Sequence, residues 1–134
     1  MEKYRIYAFE KLDVYKLALT FSVEIRKQVK LFPKEEQFDL IRQLKRASDS
    51  IGANLAEGSG RSSNLDQAHF TNMAYASGLE VINHLNLSLE LKYIEGLVYD
   101  NLRLAIDEIL NKLNSLYKYQ INRNDNLKNK IKNQ

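Results

Sequence analysis

No cysteine occurs anywhere in the 134 residues. That excludes disulfides and thiolate metal sites, and it suits a reducing compartment. No apolar run approaches the roughly 20 residues needed to span a bilayer. The N-terminal stretch MEKYRIYAFEKLDVYK alternates charge with aromatics. It lacks the apolar centre and small-residue cleavage site of a signal peptide, so a cytoplasmic protein without membrane contact is expected. Histidine occurs only at positions 69 and 84. These lie about four turns apart on one expected helix, too far to share a metal ion within one chain. The Glu-x-x-His pairs of di-iron bundles are missing as well. A serine nucleophile needs a base within reach, and Ser48, Ser50, Ser59 and Ser77 have no histidine near them in sequence. The glycines at 58 and 60 do not form the phosphate loop GxxxxGK(S/T). The expectation is therefore no catalytic residues, no metal, no cofactor and no small-molecule substrate.

What is present is concentrated between Gln43 and Arg61, QLKRASDSIGANLAEGSGR. Leu44, Ala47, Ile51 and Leu55 recur at three- and four-residue steps, the period of an apolar helical stripe. At roughly 100° per residue, Ser48, Gly52 and Ala56 make a second stripe of small residues, along which another backbone can come close. Gln43, Ser50, Asn54 and Glu57 make a third, polar stripe on the other flank. With Arg61 they form a candidate structural polar seam, Arg61 folding back onto Glu57 or the last carbonyls. Arg42, Lys45, Arg46 and Asp49 face away from the core. Three specialised stripes exceed the need of an ordinary surface helix, and they point to contacts beyond the domain itself.

The length suits one domain, residues 1–121 with a basic, polar, frayed tail over 122–134. Residues 1–11 form an arm whose Tyr4, Ile6, Tyr7 and Phe9 dock on the bundle or a neighbour, a short edge strand being the alternative. Helix 1 is expected from Asp13 to about Leu31, stopped by Pro33. Helix 2 runs from about Glu35, where carboxylates favour the helix dipole, to Glu57. There Gly58 or Gly60 supplies a left-handed closing residue. Helix 3 opens at Ser63 or Asn64, where Ser63-x-x-Asp66 approximates a capping box, and reaches about Tyr93. Its wide apolar arc again points to a subunit contact. Gly96 breaks the chain, and helix 4 spans about Asp100 to Tyr119. The expected fold class is all-α, an antiparallel up-down-up-down four-helix bundle.

The formal charge of +3 is unevenly spread. Basic residues prevail from Ser22 to Arg61 and in the tail, acids between Ser62 and Leu116. Arg42, Lys45 and Arg46, helped by Arg26, Lys27 and Lys30, form the best candidate surface for nucleic acid, since phosphates need cations in a row. No RNP, KH or zinc-finger motif accompanies them, and a solvated helix face is the competing explanation.

Gln43, Leu44, Arg46, Ala47, Ser50, Ile51, Ala53, Asn54, Ala56, Glu57, Gly58 and Arg61 resemble the signature of the four-helix-bundle proteins. These are also called ribosomal-RNA intervening-sequence proteins, because some are encoded inside insertions in bacterial large-subunit rRNA genes. Leu12, Val14 and Tyr15 resemble that family's opening segment. Phe32–Pro33 resembles its first junction, and Phe70, Ala74, Ser77 and Glu80 its third helix. Tyr15 stands where tryptophan is usual, Asp39 where glycine is common, and Ala76 and Gly78 replace the usual glycine and leucine. The resemblance covers residues 9–95. It implies a cytoplasmic bundle that assembles into ring-shaped homo-oligomers, with a pentamer favoured, and has no established enzymatic activity. More distantly, the chain is similar to accessory proteins of diversity-generating retroelements, basic pentamers that bind RNA and a reverse transcriptase. Two functions follow as expectations. One is RNA or ribonucleoprotein binding through a basic face; the other is a protein-binding scaffold or accessory subunit without a direct RNA role.

Overall fold

The computed structural model describes residues 3–123. The expected basic tail lies outside them beyond Arg123. Four helices, α1 (Asp13–Val29), α2 (Leu40–Ser59), α3 (Asn64–Glu90) and α4 (Gly96–Asn122), follow one another through short connections. Each packs on the next, and α1 also meets α4, while the diagonal pairs make no close approach. This is an antiparallel up-down-up-down bundle with no strand among the described residues. One apolar core fills it, with Ile51, Val81, Ile106 and Leu113 wholly buried at its centre. No helix among the described residues is long and apolar enough to cross a membrane.

The arm is not a strand. Ala8–Lys11 forms a 3-10 turn that packs against α1 and α2, with Phe9 edge-on to Tyr15 at 5.0 Å. Leu12, rather than Asp13, is the N-cap of α1. The larger departure is at α2, which begins at Leu40 instead of Glu35. Lys34–Glu36 is a separate 3-10 turn after Pro33. There the Tyr93 hydroxyl donates to Glu36 at 2.8 Å, tying the α1–α2 junction to the α3–α4 junction. Phe32 and Tyr93 pack their rings 5.2 Å apart beneath that bond. The bonded carboxylate raises the Tyr93 phenol above its ordinary range. A long-range partner, not the dipole of a helix, thus fixes Glu36.

Helix ends also differ from expectation. No glycine among the described residues has positive φ, and α2 closes with Gly60 in the right-handed region. The left-handed residue is Lys92, at φ 63°. Its N–H donates to the Leu89 carbonyl, and that of Tyr93 to Ser88, both at 2.9 Å. Together these are the paired bonds of a Schellman closure. α4 starts at Gly96, one turn before Asp100. The cap at α3 is as its sequence indicates, with the Ser63 hydroxyl accepting from the Asp66 N–H at 3.1 Å.

Within the bundle each of the three stripes of α2 meets the core or a neighbouring helix, with Glu57 alone of the stripe residues left exposed. Leu44, Ile51 and Leu55 face the core. The small stripe receives α1, since a Cβ at Gly52 would meet the Tyr15 ring at 3.6 Å. The polar stripe faces α3, where the Ser50 hydroxyl donates to that of Ser77 at 2.5 Å. The three stripes therefore reflect a helix with packed neighbours on both sides, and they need no second subunit.

Gly58 and Gly78 do different work. A Cβ at Gly58 would lie 2.6 Å from Cβ of Phe70, an atom that moves only with the α3 backbone. A Cβ at Gly78 would meet Leu110 Cδ2 at the same distance, but that is the end of a flexible side chain. Overpacking costs about 1–3 kcal/mol, and alanine regains up to about 1 kcal/mol of helix propensity. Chemical denaturation should therefore show Gly58→Ala destabilised by about 1–2 kcal/mol and Gly78→Ala near neutral. Equal effects would mean that the α2–α3 contact at Phe70 can relax.

Candidate nucleic-acid interface

Arg26 on α1 reaches Asp49 on α2 through two parallel bonds, Nη1 to Oδ1 at 2.7 Å and Nη2 to Oδ2 at 2.6 Å. Nη1 also donates to the Ser22 carbonyl at 3.3 Å. The hydrogen bond from Arg26 holds the Asp49 carboxyl below its usual range, against the opposing effect of partial burial, with Lys45 adding to the field. The same bond raises Arg26. This fork locks the register of two antiparallel helices. One turn up α1 from Arg26 is Lys30, and one turn back along α2 from Asp49 is Lys45.

Lys27, Lys30, Arg42 and Lys45 thereby gather on the outer surface of the α1–α2 pair. The first three are exposed and Lys45 is half-buried. None forms a hydrogen bond or ion pair with a described residue. The remaining two predicted cations are engaged. Arg26 is held by Asp49, and Arg46 crosses to α3. There its Nη2 donates to Glu80 Oε2 and, at 2.7 Å, to Gln43 Oε1. Glu80 Oε2 also pairs with His84 Nε2 at 3.0 Å, so Gln43, Arg46, Glu80 and His84 form one polar chain across the α2–α3 seam. Lys34, in the 3-10 turn, extends the free cationic strip toward the junction.

The other seam residues divide. Ser50 bonds α3 through Ser77. Asn54 turns back, donating Nδ2 to the Ser50 carbonyl at 2.8 Å. Glu57 is exposed, without a hydrogen bond or ion pair among the described residues. Arg61 does not fold onto Glu57; its guanidinium lies 4.6 Å from the centre of the Phe70 ring, and its carbonyl accepts from Gln67 at 2.9 Å. An aromatic face attracts the cation, and α3 supplies it one turn into the helix. No group of three His, Cys, Asp or Glu residues among those described could hold a metal ion.

Two clamps were not read from the sequence as clamps. Asp49 was grouped with the outward residues, although its carboxylate spends its charge on Arg26. Glu80 pairs with His84 at the i, i+4 spacing of one helix, and Arg46 joins them from another helix. Long-range pairing of this kind has no local signature.

Elsewhere, α1 and α4 leave a groove of about 280 Å³ lined by Leu17, Phe21, Val98 and Leu102, with Glu24 and Glu108 at its edge and no cation. A polyanion has no foothold there.

A model of the 23S rRNA-intervening sequence proteins matches residues 10–115. Among solved structures, the chain is similar to a protein of unknown function from the S23 ribosomal protein family of Bacteroides thetaiotaomicron VPI-5482. The two are 29% identical with a TM-score of 0.73, over 78% of this chain and 98% of the other. None of the curated proteins matches.

The Arg26–Asp49 fork has a pH signature. Because the folded carboxyl titrates below the unfolded one, near 3.9, its stabilisation is present above that value. It is lost as pH falls through the folded pKa. Both partners are nearly half exposed, so the fork is worth at most about 1 kcal/mol. Asp49→Asn should lower stability by that much at pH 7, and the difference from wild type should vanish once the pH has fallen below the folded pKa of Asp49. A difference that persisted in acid would assign the loss to packing.

Proposed function

Since the chain belongs to the 23S rRNA-intervening sequence protein family, we propose that it is a non-enzymatic bundle binding RNA or a ribonucleoprotein through the outer α1–α2 surface. The observation that carries this reading is the gathering of Lys27, Lys30, Arg42 and Lys45 on one strip with no side-chain hydrogen bond or ion pair among the described residues. A lysine or arginine bound to a carboxylate must give up that bond before it can neutralise a phosphate. These four need not. Arg26 and Arg46 have a supporting role, holding α1, α2 and α3 in the register that lines up the strip.

Contacts of this kind read phosphate, not sequence. Their strength is set by counterion release, roughly 0.7–0.9 of a unit in the log–log salt slope for each phosphate neutralised. The protein is further proposed to work as a homo-oligomer. Support comes from Leu19 and Val23, 48% and 53% exposed on successive turns of α1, with exposed Ala53 on the neighbouring helix. Isolated chains at high micromolar concentration in light scattering would contradict it.

Titrating structured RNA across a salt series tests the main reading. Four phosphate contacts predict a slope of about −3 in log affinity against log salt, reduced by about one unit in Lys45→Glu. Affinity indifferent to both salt and charge reversal would overturn the reading and favour the protein-scaffold alternative.

A further inference from the structure

One aromatic ring stands in the open at the end of the cationic strip. Phe38 is 79% exposed, with Leu31 beside it in the same junction at 77%. A phenylalanine in a helix–helix turn would ordinarily bury its ring. Here the inward places are filled by Phe32, Leu40 and Ile94, all members of the core. The turn is also held. The Gln37 N–H donates to the Lys34 carbonyl at 3.0 Å, Asp39 to Glu36 at 3.1 Å, and Gln43 to Asp39 at 2.9 Å. Tyr93 fastens Glu36 from the opposite junction. Phe38 is therefore presented outward by a backbone anchored on both sides.

We infer that Phe38 is a stacking platform for an unpaired RNA base whose flanking phosphates lie along Lys27, Lys30, Arg42 and Lys45. This deepens the RNA reading above and rests on it, naming single-stranded or looped RNA as the class bound. Two features favour a base over a phosphate at the ring. Glu35 and Asp39 are exposed on either side of Phe38 and repel anions there, and the ring's own face is electronegative. A nucleobase is neutral, and its π-face stacks on an aromatic side chain irrespective of identity. The cations begin four residues on, at Arg42 in the first turn of α2, and Lys30 closes α1 on the other side of the junction. Lys45 lies within about 8 Å of the start of α2 along its axis at 1.5 Å per residue. A strand with one base on the ring can thus lay its neighbouring phosphates toward the first two turns of α2. Bases inside an A-form duplex have both faces occupied and cannot use the platform.

The absence of tryptophan from the chain provides the test. In Phe38→Trp all indole emission arises from that one position. The probes are a 12-nucleotide oligoadenylate and the same strand paired with oligouridylate. The single strand should quench the emission, and the duplex should not. Phe38→Leu, which keeps an apolar side chain but removes the ring, should weaken single-strand binding about tenfold and leave duplex binding unchanged. Arg42→Glu should weaken both. If Phe38→Leu binds both probes like wild type while Arg42→Glu weakens both, the platform is wrong and the RNA reading stands. If neither substitution matters, both are wrong. Emission that ignores RNA but shifts to the blue as the protein is concentrated would assign the ring to a second copy of the chain, overturning the inference.

Discussion

The fit of α1 against α2 is where the rest of the molecule takes its bearings. The row Ser48, Gly52 and Ala56 lets α1 lie close, with Tyr15 resting over Gly52 at ordinary contact distance. A larger residue there would push α1 outward, away from the core that Ala18, Phe21 and Ile25 complete. Once α1 is seated, the Arg26–Asp49 fork can span the seam. On the opposite flank, Gly58 admits Phe70 and brings α3 to the same proximity. α2 is thus packed through small residues on both sides. α4 is free to sit less tightly on α1, and a groove opens between them.

This packing also sorts the positive charge. The six candidate cations, Arg26, Lys27, Lys30, Arg42, Lys45 and Arg46, look equivalent in sequence, but the seams divide them. Arg26 and Arg46 lie on flanks that face another helix, and each finds a carboxylate. Arginine suits that position, because its planar fork engages an oxygen pair with little loss of freedom. Lys27, Lys30, Arg42 and Lys45 form no ion pair with a described acid, although Lys45 adds to the field at Asp49. The four candidate cations left without an ion pair thus share the outer side of the α1–α2 pair.

Much of the architecture was legible, because the four helices carry strong apolar periodicity and Pro33, Ser63 and Gly96 mark real junctions. Ser50 belongs to the polar stripe read from the sequence, and its hydroxyl meets Ser77 of α3. Other features were illegible for physical reasons. Glu35 and Glu36 have the composition of a helix start, but Tyr93, distant in sequence, captures Glu36 in a 3-10 turn. Gly58 looks like a stop signal, yet its lack of a side chain serves the Phe70 contact. A lysine occupies the left-handed position expected of a glycine. At the candidate site, residue type and sector were readable, and which cations were already paired was not. The exposure of Phe38 was equally hidden, since it depends on Phe32, Leu40 and Ile94 having taken the buried places.

The central claim is that RNA is held on the outer α1–α2 face. Lysine footprinting tests it most directly, by acetylating the protein with and without bound RNA and reading each site by mass spectrometry. Lys27, Lys30, Lys34 and Lys45 should lose reactivity when RNA is bound, while Lys16, Lys92 and Lys112 keep theirs. Protection centred on Lys16, Lys92 or Lys112, or spread evenly over all seven, would contradict the account.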